Sequence, residues 1–280
     1  MIYFINTAIL LIVFIVSAEI IDKIISVRMC GRRIPPIRHL IFDGADVCLQ
    51  RTDMKLLITA APFILTAFSM PSHNEFYSFN GSCLNIMLLF LTFPFGYGYL
   101  IYRHANKIQT RKFNIVVISY FINLFSFFVI YLVMMDISGI KDMNGFIFLQ
   151  QGGADRWLMY KNPLMFFPAL ISLYATSGFS PFSGMTKDAV RDLNYIDEKA
   201  ERVLITLGYL SRYSLFVFFA DIFLGGAANI LTMFIKVIIL NSVFTVISML
   251  FPKIGMKNTI FFNIFLLSLV IVIRVIWGAL

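Results

Sequence analysis

The chain has 280 residues, 59% of them hydrophobic and 14% charged, with a mean hydropathy of +0.84 and a formal net charge of +8. Such a composition cannot close around one aqueous core without coating its surface in hydrocarbon, which excludes an ordinary soluble enzyme and points to a bilayer. The basic balance does not call for nucleic acid, because membrane topology and anionic lipid headgroups account for it.

A helix needs roughly 20 apolar residues to cross about 30 Å of hydrocarbon. Runs of this kind lie at 3–22, 57–71, 83–102, 113–135, 162–178, 203–224, 230–251 and 259–279. They predict an all-α membrane protein with about eight transmembrane helices, forming one polytopic membrane domain over residues 1–280. The first run is expected to persist as a helix rather than be cleaved as a signal peptide. Met1 to Asn6 carry no positive charge, and Glu19 stands where small cleavage-site residues would be needed. The second and fifth runs are short and contain Pro62, Pro163 and Pro168, which predicts tilted or locally opened helices there.

The loops between the runs differ sharply in charge. The first holds Lys23, Arg28, Arg32, Arg33, Arg38, Arg51 and Lys55, and the third Arg103, Lys107, Arg111 and Lys112. The fifth adds Lys187, Arg191, Lys199 and Arg202, and the seventh Lys253 and Lys257; the even loops contain only Lys141, Arg156 and Lys161. By the positive-inside rule the odd loops face the cytoplasm or matrix, and both termini face the periplasmic or intermembrane side. Two loops on the basic side, 23–56 and 179–202, are long enough to be informative. In the first, Pro35 and Pro36 interrupt any helix after Arg33, and the segment from Asp43 to Lys55 has the make-up of a short surface helix or of a solvated loop.

Cys30, Cys48 and Cys83 form no paired C-x-x-C motif, and His39, His73 and His104 lack helical ligand spacing, so neither an iron–sulfur cluster nor a metal site is expected. The chemistry-bearing residues are instead the ionisable groups inside the runs: Glu19, Arg212, Asp221, Lys236 and Arg274. Each costs about 2.5–3.5 kcal/mol at a helix centre if it faces lipid, so partners, water or snorkelling to an interface are required. Snorkelling suits Glu19 and Arg274 best. Arg212 and Asp221 are half a turn out of phase on one helix and cannot pair with each other, whereas Lys236 needs a counter-charge from another helix, with Asp221 one candidate.

The order of several local motifs resembles the quinone-site membrane subunit of respiratory complex I, often called its subunit 1, and the corresponding chain of membrane-bound hydrogenases. Glu19 followed by Arg28 and Gly31 looks like that family's first-helix glutamate and basic loop. The run Leu49, Gln50, Arg51, Thr52, Asp53, Met54, Lys55, Leu56, Leu57, then Ala61 and Pro62, is similar to the segment leading into its second helix. Pro181 and Phe182 stand at its Pro-Phe-Asp motif. Leu224, Gly225 and Gly226 match its sixth-helix end, and Lys236 with Pro252 and Lys253 reproduces a seventh-helix lysine and the Pro-Arg after it.

The resemblance implies a membrane subunit of a proton-translocating NADH:quinone oxidoreductase. Chains of this family carry no redox centre and no covalently bound cofactor, and quinone is the substrate of the whole complex. The partners would be the other subunits, including peripheral iron–sulfur and quinone-site subunits, together with lipid. The location would be a bacterial or organellar inner membrane. Arg28, Arg32 and Arg33 would dock the peripheral arm, with Gln50, Asp53 and Lys55 near the quinone-access chamber. The departures are acidic ones: Ser183 replaces the motif aspartate, Thr176 and Ser177 stand near an expected glutamate, and Gly208 replaces a sixth-helix glutamate. Any surviving charge relay would then run through Glu19, Asp221 and Lys236. Two alternatives stay open, a degenerate scaffold subunit of such a complex and a cation or proton secondary transporter.

Overall fold

A computed structural model describes residues 2–31, 54–69, 82–104, 107–179, 182, 198–226, 230–252 and 254–279. Each apolar run of the sequence coincides with helix. Among the described residues the helices, in chain order, are α1 (Ile2–Met29), α2 (Met54–Ser69), α3 (Cys83–Phe90), α4 (Thr92–His104), α5 (Lys107–Ser138), α6 (Met143–Leu149), α7 (Leu158–Lys161), α8 (Pro163–Thr176), α9 (Glu198–Phe223), α10 (Ile230–Leu250) and α11 (Met256–Ala279), with a 3-10 turn at Ala154–Arg156. Among the described residues, four segments are long and apolar enough to cross a membrane: Val117–Ser138, Val203–Phe223, Leu231–Leu250 and Lys257–Trp277.

The third run is two helices rather than one, interrupted at Leu91. Pro94 explains the break, since it has no N–H to offer the Phe90 carbonyl and its ring crowds that oxygen. The other prolines do not interrupt their helices. Pro163 opens α8, where its missing N–H is needed by no carbonyl, while Pro62 and Pro168 sit inside α2 and α8 with helix continuing on both sides. At 14 residues α8 is only about 21 Å long, and the short elements from Met143 to Lys161 lie just before it in the chain.

The centre of the bundle is α9. Of its apolar window 78% is buried, against 28% for α10 and for α11, and it packs on α1, α2, α4, α6, α7, α8 and α10. Its last three turns supply the middle of an aromatic core. Phe218 meets Phe90, Phe127 and Tyr131 with ring centroids 5.0–5.9 Å apart, and Phe219 and Phe223 close on Phe166. Phe63 stacks on Phe93 at 4.3 Å, tying α2 to α4. Outward-facing positions of α10 and α11, such as Ile239, Phe261, Phe265 and Ile271, are apolar and exposed, which suits a surface solvated by acyl chains.

Buried polar side chains tie the helix seams together. Asn123 of α5 donates to the Ala175 carbonyl of α8 and accepts from the Asn263 amide of α11, and Thr176 donates back to the Asn123 carbonyl. All are buried, and they hold three helices in fixed register where lipid offers no competing partner.

Candidate functional site

Two buried charged stations flank α9, one toward each end of the bundle. The first is centred on Asp22 of α1, near the end that bears the odd-numbered loops. Its Oδ2 accepts from Arg212 Nη1 at 3.3 Å and from the Tyr209 hydroxyl at 3.2 Å, both on α9. Its Oδ1 accepts from the Asn241 amide at 3.0 Å and the Thr245 hydroxyl at 2.6 Å, both on α10. Arg212 is held on three further sides: its Nε donates to the Ser177 carbonyl, and the guanidinium lies 4.1 Å from the Phe179 ring centroid and 5.3 Å from that of Tyr209. One turn away on α1, Glu19 is 3% exposed and pairs with Lys23 at 3.5 Å.

The second station lies where α9 ends. Gly225 and Gly226 both adopt left-handed backbone, φ +75° and +59°, which reverses the chain after Phe223. Lys236 of α10 reaches into this turn and donates to the Leu224 and Gly226 carbonyls, with its ammonium 4.4 Å from the Trp157 ring centroid. Asp221 is fully buried beside them. A Cβ on Gly226 would come within 3.3 Å of Asp221 Oδ1, and neither carboxyl oxygen has a hydrogen-bond partner among the described residues.

Gln150 fastens this turn to the α6–α7 segment. Its amide nitrogen donates to the carbonyls of Phe146, Asp221 and Ile222, and its oxygen accepts from the N–H groups of Leu158 and Gly225. Backbone groups left over by a helix end and an irregular loop are thereby satisfied within the protein, as membrane depth demands. Trp157, Gly152, Gly153 and Lys236 line an adjoining cavity of about 490 Å³.

The residues singled out by sequence therefore fall into three groups. Arg28 is exposed on the last turn of α1, and Lys55 lies in the first turn of α2. Arg32, Arg33, Gln50 and Asp53 lie outside the described residues, as do most of loops 23–56 and 179–202. Asp221 and Lys236 share the second station, but Lys236 bonds to carbonyls rather than to the carboxylate. Glu19 sits with the first station, so the three expected relay residues do not form one cluster.

One expectation about snorkelling needs correction. Glu19 is buried rather than reaching an interface, because Lys23 one turn on provides a counter-charge. Arg212 is likewise buried and paired. Arg274 does lie at an exposed position, where its Nε meets Asp136 at 2.6 Å. The Asp22–Arg212 pair and the Gln150 brace are not legible in the sequence; Asp22 shares a face with Glu19, but no local spacing indicates a partner on a distant helix.

No family model matches this chain, and no curated protein matches it in sequence. Its fold, however, is similar to that of a chain in a solved structure, that of the membrane-bound sulfane sulfur reductase, an archaeal respiratory membrane complex. The likeness covers 99% of this chain and 100% of that one, with a TM-score of 0.72 at 16% sequence identity. At that identity the comparison establishes a shared fold.

Proposed function

We propose that the chain is a membrane subunit of a complex I-like, proton-translocating NADH:quinone oxidoreductase, without a redox centre of its own. The observation that carries this reading is the whole-length fold likeness to a respiratory membrane complex chain, joined to motif order that points the same way from sequence. On this reading the basic loop 23–56 docks a peripheral iron–sulfur and quinone-site arm, with Arg28, Arg32 and Arg33 as its anionic contacts. Gln50, Asp53 and Lys55 border the quinone-access chamber. The Asp22 station directly precedes that loop in the chain, where a reaction in the arm would be felt as a change of charge.

A second reading, a scaffold subunit that docks partners but does not conduct, rests on its own observation. Near the position of an expected glutamate, the Thr176 hydroxyl is shared between the carbonyls of Ser172 and Asn123, and that of Ser177 donates to the Leu173 carbonyl. Neither can hold a proton at an accessible pKa, so conduction would rest on Glu19, Asp221 and Lys236 alone.

Charge reversal at Arg32 and Arg33 tests the docking role. The double variant R32E/R33E is expected to reach the membrane yet lose the peripheral arm and quinone reductase activity. Unchanged assembly and activity would remove the proposal. K236M and D221N variants that both assemble normally and pump protons at the wild-type ratio would select the scaffold reading.

A further inference from the structure

The second station has the chemistry of a cation site, and its occupant is a side chain. Four features converge on the Lys236 ammonium. Two are neutral oxygens, the Leu224 and Gly226 carbonyls, turned toward it by consecutive left-handed glycines. The third is the end of α9, whose macrodipole places about half a negative charge there. The fourth is the face of Trp157, 4.4 Å away. Behind them lies Asp221, fully buried and with both side-chain oxygens lacking hydrogen-bond partners among the described residues.

An ordinary ion pair would bring the ammonium onto the carboxylate. Here the ammonium sits on carbonyls and Asp221 stands behind them without bonding to it, and carbonyl-lined sites hold alkali cations in the same way. An alkylammonium head is close to K⁺ in size and carries the same single charge. One carboxylate against one positive charge also matches a monovalent rather than a divalent ion.

We infer that the turn after α9 is a monovalent-cation site for Na⁺ or K⁺, kept filled by the tethered ammonium of Lys236, which excludes solution cations from it. The lysine supplies a charge of fixed position at this end of the bundle, independent of the salt outside. The inference concerns this chain alone and stands whether or not the chain belongs to a quinone-reducing complex.

The test is thermal melting of the full-length protein in detergent at constant chloride, with N-methylglucamine replaced stepwise by Na⁺, K⁺ or NH₄⁺. Wild type should be indifferent to the identity of the cation. Lys236→Ala should be destabilised in N-methylglucamine and regain at least about 3 °C in one or more of the small cations, because a ligand that binds only the folded state stabilises it by mass action. Asp221→Asn in the same background should abolish that gain. A cation response of equal size in wild type, none in K236A, or one that persists in K236A/D221N overturns the inference. Should K236A fail to accumulate, membrane yield gives the same comparison: D221N must restore it, and an equally poor yield of K236A/D221N overturns the inference.

Discussion

Replacing Asp22 with alanine should be among the most damaging single changes in the membrane domain. The carboxylate receives four donors from two helices, and its loss strands the Arg212 guanidinium, whose side chain is only 10% exposed. Breaking a buried pair costs about 3–5 kcal/mol. Arg212 keeps the Ser177 carbonyl and the Phe179 face, which argues for the lower end, about 3 kcal/mol. The Tyr209 hydroxyl and Asn241 amide lose their acceptor and add on the order of 1 kcal/mol each. The expected loss is therefore roughly 4–5 kcal/mol, a large share of a typical 5–15 kcal/mol stability. Arg212→Met should cost less, since Asp22 retains Tyr209, Asn241 and Thr245. The double variant D22A/R212M should be no worse than D22A, a coupling of about 2 kcal/mol. Unfolding in mixed detergent micelles, followed through the fluorescence of Trp157 and Trp277, measures all three. A D22A loss below about 1 kcal/mol, or additivity in the double variant, would refute the assignment of Asp22 as the hub of this station.

Gln150→Ala should destabilise by about 2–4 kcal/mol, because the buried Leu158 N–H and the half-buried Gly225 N–H lose their acceptor; increased proteolysis between Gly152 and Lys161 at unchanged membrane insertion is the readout. Gly225→Ala combines backbone at φ +75° with a Cβ that would fall 2.4 Å from Trp157 Nε1, whereas Gly139→Ala meets only the backbone term, at φ +69° with open space around it. G225A should accordingly lower the melting temperature well beyond G139A, whose cost is about 1–2 kcal/mol; equal effects would contradict the packing described around Trp157. Cysteines introduced at Ile108 and Val190 should be labelled from one side of the membrane and one at Asp155 from the other, and labelling of all three from the same side would overturn the topology read from loop charge.

The helices were legible because a lipid-facing or buried apolar run leaves no alternative to helix, and every run is helical. The break at Leu91 was also written in the sequence, in Pro94, but its hydropathy conceals it, since Leu91 is as apolar as its neighbours. The sites were harder to see. Glu19, Arg212, Asp221 and Lys236 announce themselves as charges in apolar runs, yet their partners are fixed by helix packing over separations that no periodicity encodes. Asp22 reaches Arg212 190 positions away, and Lys236 bonds to backbone carbonyls, which carry no residue identity at all. Gln150 lies in an unremarkable Gln-Gln-Gly-Gly stretch, and only the fold shows that it braces the end of α9.

The central claim, that this chain is one member of a respiratory assembly, is tested most directly by affinity purification of the tagged chain in mild detergent, followed by mass spectrometry of everything retained. The account predicts stoichiometric recovery of iron–sulfur and quinone-site subunits together with further membrane subunits. Recovery of this chain alone, as a monomer or a homo-oligomer, would contradict it and favour a cation or proton transporter.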